Sequence, residues 1–164
     1  VKKHLVYLSY LIRHKWFVFI AGIKVECPIW QLIIHDWSKF TPSEWSGYVN
    51  HFYVVKKHGC KVDGKLCEEC SEMEIAFDYA WLHHYNHNPH HWNGWILRGN
   101  GKVKILEMPD KYILELFADW MGANRTINGK WKCLSGWYAK NKQDIHFAPE
   151  TKKKVEELFA RYIP

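Results

Sequence analysis

Long apolar stretches are missing from this 164-residue sequence. The longest, residues 16–23 (WFVFIAGI), spans eight residues, whereas a membrane-crossing helix needs about 20. It belongs in a core, and no membrane partner is expected. The opening VKKHLVYLSYLIRHK is basic but has no continuous apolar segment followed by a small-residue cleavage site, which predicts no signal peptide. Cysteine is sparse and odd in number, five in all, with spacings unlike those of a secreted disulfide framework, so the expected compartment is the reducing cytoplasm. Repeats, low-complexity tracts and linkers are also absent, which excludes solenoids and tandem modules.

What is present is core-forming material. The chain is 48% hydrophobic and 16% aromatic with ten Trp, too rich in such side chains to be disordered. At this length one domain over residues 1–164 is expected. A net charge of +6, with eleven His uncounted, makes the surface basic and suits an anionic partner such as a nucleotide or a nucleic acid.

Periodicity predicts a mainly α protein. Leu5, Leu8, Leu11, Ile12 and Val18 recur at helical spacing and predict a first helix over 4–20. A second opens at Pro28 and runs through Trp30, Ile33 and Ile34 to His35-Asp36. TPSE then supplies a capping box in which Thr41 is N-cap, Pro42 is N1 and Glu44 is N3, and predicts a third helix towards Val55. Residues 58–70 read as a Cys-containing loop, and SEME at 71–74 as the start of a helix that Pro89 interrupts. Residues 95–106 form a small β-hairpin around Gly99-Asn100-Gly101, an appendage to the helical body. Pro109 opens a helix with the apolar face Ile113, Leu116, Phe117 and Trp120, and residues 149–160 close the chain as a last amphipathic helix.

His35 and Asp36 sit at the inner end of the run Leu32-Ile33-Ile34, where burial of both groups is costly unless something pairs with them. A metal ion would. Consecutive helical residues point about 100° apart, so both side chains reach such a site only at a helix end or distortion. Further ligand candidates are His4 in the first helix, Asp119 in the helix after Pro109, and the segment HHYNHNPHH. In that segment His84 with His90 or His91 is favoured to face a second ion or a phosphate, because Pro89 redirects the chain. Imidazole with carboxylate suits manganese, cobalt, nickel, zinc or iron alike. His58, Cys60, Cys67 and Cys70 form a separate candidate for a structural zinc, though a single C-x-x-C is a weak signal.

The order His, His-Asp, late Asp resembles the HD-domain superfamily of helical metal-dependent phosphohydrolases. The segments HLVYLSYLIRHKWFVF, HDWSKFTPSEW, AWLHHYNHNPHHW and LEMPDKYILELFADWMGA are similar to a small HD-like family common in phages and bacteria. The resemblance implies an HD-like helical bundle with His4, His35, Asp36 and Asp119 as metal ligands. His14 competes with His4, but the order of the resemblance favours His4. The expected activity is hydrolysis of a small phosphorylated substrate, a nucleotide or deoxynucleotide. Asp36, Lys39 and Glu115 would be its catalytic groups, and Lys39, Arg125, Lys140 and Lys142 the phosphate-binding candidates. Glu115, one turn before Asp119, would orient a ligand or relay a proton, while Glu44 is assigned to capping. Two alternatives are an HD-type di-iron oxygenase, for which the extra histidines argue, and a non-catalytic nucleic-acid-binding or host-interaction protein, for which the Lys-rich end TKKK argues. Exposed aromatics would support an oligomer.

Overall fold

The computed structural model describes residues 1–58, 61–62, 65–131 and 134–163. The chain is mainly helical with small two-stranded appendages. In order it forms α1 (Lys2–Lys24), α2 (Ile29–Ile34), a 3-10 turn (Trp37–Phe40), α3 (Pro42–Asn50), a π-helical turn (His51–Val55), α4 (Lys56–His58), β1 (Lys61–Val62), β2 (Lys65–Leu66) and α5 (Glu68–His87). A second 3-10 turn (Trp92–Trp95), β3 (Ile96–Gly99), β4 (Lys102–Ile105), α6 (Asp110–Asn128), α7 (Leu134–Asn141) and α8 (Pro149–Tyr162) follow. No helix among the described residues is long and apolar enough to cross a membrane.

Several boundaries follow directly from local chemistry. Pro28, Pro42, Pro109 and Pro149 stand at helix starts, where a missing N–H costs nothing. Asn100 and Gly101, both at positive φ (50° and 70°), make the tight turn that the hairpin register Gly99↔Lys102 requires. Gly129 at φ 69° closes α6. Two expectations shift. α5 begins at Glu68, a turn before SEME, with the Ser71 hydroxyl donating to the Cys67 carbonyl. The TPSE capping box does not form: Thr41 Oγ1 donates to the Ser38 carbonyl, and Glu44 turns inward.

The buried stripe of α1 is Tyr7, Leu11, His14, Val18 and Ala21, spaced alternately by four and three, and Val25 just past its end continues it. Leu5 and Ile12, expected on that face, are 61% and 56% exposed. Apolar residues occur all round this helix, so composition alone does not set its phase.

Contacts group the chain into two compact units, each built from two segments. One comprises Val1–Ser9 and Asp36–Asn88, the other Tyr10–His35 and Pro89–Pro164, so the division cuts α1 and separates His35 from Asp36. In the first unit α3 lies on α5 so closely that a Cβ on Gly47 would stand 2.7 Å from the Ala80 Cβ and 2.9 Å from the Ala76 carbonyl oxygen. Tyr7 packs edge-on against Trp45 and alongside Tyr48. In the second unit Val18, Ala21, Leu32, Phe117, Ala118, Met121 and Leu134 form the core, and Met108, Ile113, Leu116 and Val155 a second cluster. Gly122 lets α6 approach α1, since a Cβ there would meet the Val18 backbone nitrogen at 2.6 Å.

Candidate metal centre

The second unit gathers three histidines around α6, which places Glu115 and Asp119 one turn apart on its buried face. His14 comes from the buried stripe of α1, and its Nε2 lies 3.1 Å from Asp119 Oδ1. His35 follows α2 directly, where the chain leaves the helix at φ −46°, ψ 128°. The Lys15 ammonium donates to the His35 carbonyl, satisfying one of the groups that the end of α2 leaves open. The His35 imidazole is thereby aimed at α6 with Nε2 3.4 Å from Asp119 Oδ1 and Nδ1 3.0 Å from Glu115 Oε1. His90, just past Pro89, brings its own Nδ1 to 3.2 Å from the same Glu115 oxygen, and Gln31 Nε2 donates to Glu115 Oε2 at 2.7 Å.

This pattern assigns roles. Glu115 faces Nδ1 of both His35 and His90; with Nδ1 protonated each ring would offer Nε2 to a cation, the arrangement in which an outer carboxylate orients metal-binding histidines. Two donors each about 2.1 Å from one ion stand roughly 3.0–3.4 Å apart at octahedral or tetrahedral angles. The spacings of His14 Nε2 and His35 Nε2 from Asp119 Oδ1, 3.1 and 3.4 Å, match that range. Two imidazoles and a carboxylate serve zinc hydrolases and non-haem iron alike, so the donor set fits a divalent transition metal without choosing one. Burial pushes the Asp119 carboxyl up, but hydrogen bonds and charge from His14 and His35 outweigh it and hold the carboxyl well below its ordinary range. Burial likewise opposes ionisation of Glu115, and hydrogen bonds from His35 and His90 bring it down to about 2.

The first unit carries the same motif again. Asp36 takes the left-handed conformation (φ 54°, ψ 25°) and is fully buried. Its Oδ1 lies 3.3 Å from His84 Nε2, and the Lys39 ammonium pairs with Oδ2. His84 Nδ1 is held 2.8 Å from Glu44 Oε2, while the other Glu44 oxygen is 2.8 Å from His83 Nδ1. Ser38 Oγ is 3.2 Å from His84 Nδ1 and accepts from Asn88 Nδ2 at 2.7 Å. Glu44–His84–Asp36 thus repeats Glu115–His35–Asp119. Burial raises the Glu44 carboxyl, but bonding and charge from His84, with help from Ser38 and His83, leave it below its ordinary value. The sequence reading gave Glu44 a capping role. The structure gives it two histidines, and what signal there was lay in an acid placed on the buried side of α3.

Other expected site residues fall elsewhere. His4 accepts a hydrogen bond from Trp45 Nε1 at 2.9 Å and stacks on that ring; the α1 histidine against Asp119 is His14, in the middle of the helix and on its buried stripe. Lys39 is engaged by Asp36, as noted, and its ammonium also lies over the Tyr48 ring. Arg125 packs its guanidinium over Phe17 and Trp131, so it is not extended towards a phosphate. Lys140 and Lys142 are exposed at and beyond the end of α7. His91 is buried, with its ring 4.2 Å from that of His90. The proposed zinc loop is corrected in part: Cys67 is disulfide-bonded, which removes its thiolate, and Cys70 is buried on α5. Cys60 and the His58 side chain lie outside the described residues.

No curated protein and no solved structure matches the chain. A family model does, and it covers residues 3–161, nearly the whole length and both sets of buried groups. The chain therefore belongs to the family of unknown function DUF5662.

Proposed function

We propose that this protein is a metal-dependent phosphohydrolase of the HD type, acting on a small phosphorylated molecule, most simply a nucleotide. The observation that carries the reading is the buried His14–His35–Asp119 set, whose facing atoms are spaced as donors to one cation. The resemblance to HD proteins and the net charge of +6, which suits an anionic substrate, give further support. In this reading His14, His35 and Asp119 hold the ion, and Glu115 keeps His35 in the tautomer that offers Nε2. When bound, a divalent ion supplies Lewis-acid polarisation of a phosphoryl oxygen and acidifies a coordinated water. Lys39 offsets the charge of Asp36, which makes it a positioning group for the second set.

The test is phosphate release from a panel of nucleotides and phosphomonoesters after loading with manganese, cobalt, zinc or iron. Turnover should vanish on chelation and in Asp119→Asn, and no turnover of any phosphoester by fully loaded protein would sink the proposal. A second reading, an HD-type di-iron oxygenase, is favoured by one observation, the repeat of the His–carboxylate motif at Glu44–His84–Asp36. Two irons per chain with oxygen uptake would select it over hydrolysis.

A further inference from the structure

The β3–β4 ribbon gives almost nothing to the core of the second unit. Residues 97–105 are all exposed, so both of its faces stand in water. A two-stranded hairpin alone is marginally stable, and this one is held at its root. Leu106 donates its backbone N–H to the Trp95 carbonyl at 2.9 Å, Trp95 Nε1 donates to the Pro89 carbonyl at 2.8 Å, and the Trp95 ring lies against Tyr112. Ile96, paired with Ile105, adds an aliphatic contact across the strands. The ribbon therefore projects from a fixed base.

Its charge has one sign. Residues 95–106 carry Arg98, Lys102 and Lys104 and no acid, and among the described residues none of the three has an ion-pair partner. The next acid in the chain, Glu107, is turned to the first turn of α8, where its carboxylate accepts from the Thr151 hydroxyl and from the N–H groups of Glu150 and Thr151. The register divides the cations between the faces, because residues opposite one another share a face, as do alternate residues along a strand. Leu97 stands opposite Lys104 and Gly99 opposite Lys102, so both lysines lie on one face; Arg98, opposite Val103, lies on the other.

Cations on both faces discriminate between anionic partners. A flat bilayer meets one face of a ribbon, and the polar tip Asn100-Gly101-Lys102 has nothing apolar to insert into it. A duplex groove is walled by phosphates on both sides. The major groove of B-DNA is about 12 Å wide and about 8.5 Å deep and admits a two-stranded ribbon, whereas that of duplex RNA is too narrow for side chains to enter. A sheet layer with its side chains is about 10 Å thick, and four residues of strand span about 14 Å, so the ribbon fits the width and exceeds the depth. We infer that β3–β4 is a DNA-binding element that enters the major groove of a B-form duplex, with Arg98 towards one wall of phosphates and Lys102 and Lys104 towards the other. Contacts to phosphate carry no base information, so the binding is independent of sequence. It does not depend on the metal centre or on the proposed hydrolysis.

Fluorescence anisotropy of a labelled DNA duplex of about 20 base pairs, titrated with the full chain up to about 100 µM to span sequence-independent affinities of about 10⁻⁴–10⁻⁶ M, provides the test. With three phosphates neutralised, the salt slope should be about −2.7, a loss of about 40-fold between about 50 and 200 mM salt. Lys104→Gln should lower that slope by about one. The triple variant Arg98→Gln, Lys102→Gln, Lys104→Gln should bind at least about 10-fold more weakly at low salt, with unchanged circular dichroism and Tm. A second triple variant, Lys2→Gln, Lys65→Gln, Lys130→Gln, removes as much exposed charge elsewhere and should keep the wild-type slope. In wild type the duplex should protect Lys102 and Lys104 from acetylation read by mass spectrometry, a measurement that needs no variant. No binding at low salt, undiminished binding by the ribbon variant, an equal loss in both triple variants, no protection of the two lysines, or tighter binding to phosphatidylglycerol vesicles or to duplex RNA than to DNA would each overturn the inference.

Discussion

Glu115→Gln separates an orienting carboxylate from a ligating one. In the structure Glu115 Oε1 faces two imidazole nitrogens, His35 Nδ1 at 3.0 Å and His90 Nδ1 at 3.2 Å, while Oε2 takes the Gln31 amide at 2.7 Å. Glutamine has one acceptor oxygen, so its NH₂ must face either the histidines or the Gln31 donor, and at least one bond is lost. Outer carboxylates of this kind are worth about 10–100-fold in metal affinity, or about 1.4–2.7 kcal/mol. Competition against a chromophoric chelator at neutral pH should therefore show weakened binding with one-to-one stoichiometry kept, while Asp119→Asn abolishes it. Equal affinity in wild type and Glu115→Gln would refute the orienting role. A loss as complete as that of Asp119→Asn would make Glu115 a ligand itself. The metal-free protein offers a second readout. The Glu115 carboxyl falls from its ordinary 4.5 to about 2 in the folded chain. The corresponding stabilisation, about 3 kcal/mol by linkage, is fully present above pH 4.5 and is lost as pH falls through 2. Chemical denaturation across that window should show a shallower decline in Glu115→Gln.

His14→Ala should abolish metal binding to the second unit, whereas His4→Ala should leave it intact and cost only the Trp45 contact; titration of both variants decides, and the reverse outcome restores His4 as the ligand. Gly122→Ala should destabilise by about 1–3 kcal/mol and lower Tm by a few degrees, because the new Cβ meets the Val18 backbone and not a movable side-chain end. Gly136→Ala in α7, where a Cβ meets nothing within 4 Å, should instead stabilise by up to about 1 kcal/mol. Asp36→Gly and Asp36→Ala both remove the carboxylate, but only alanine carries the cost of the left-handed conformation. The glycine variant should be the more stable by about 1–2 kcal/mol in denaturation, and equal stability would show that this backbone is unstrained.

The site was legible where a local rule left a residue unexplained. His35-Asp36 stood out because no apolar helix end needs a buried imidazole and carboxylate together, and Asp119 because it shares the buried side of α6 with Leu116 and Phe117. Glu44 failed for the opposite reason. TPSE already explained an acid at that position, and its partners His83 and His84 lie 39 and 40 residues away, a separation that leaves no periodic trace. His4 and His14 could not be told apart by spacing, since both fall in phase with Tyr7 and Leu11. Only tertiary position distinguishes the first turn of α1, beside Trp45, from its middle, beside Asp119. The Cys-containing loop was read from a motif that zinc and disulfides share, and composition does not choose between them.

The backbone at residues 35 and 36 links the two sets. A helix continued through this point would send the two side chains about 100° apart, and a non-glycine residue in the left-handed region is costly, although Asp tolerates it better than most. Such a conformation persists only where its surroundings over-determine it. Here the left-handed residue is Asp36, while His35 keeps an ordinary extended conformation. His35 is fixed by Glu115 and Asp119 within one unit, and Asp36 by Lys39 and His84 within the other. Within each unit, the buried groups that make these contacts would be unfavourable without their partners. The same over-determination is what a metal centre requires, because ligands already held by outer carboxylates lose little freedom when an ion arrives. The left-handed Asp36 is held in place by the turn that follows it, whose Lys39 donates its backbone N–H to the Asp36 carbonyl and pairs its ammonium with the carboxylate.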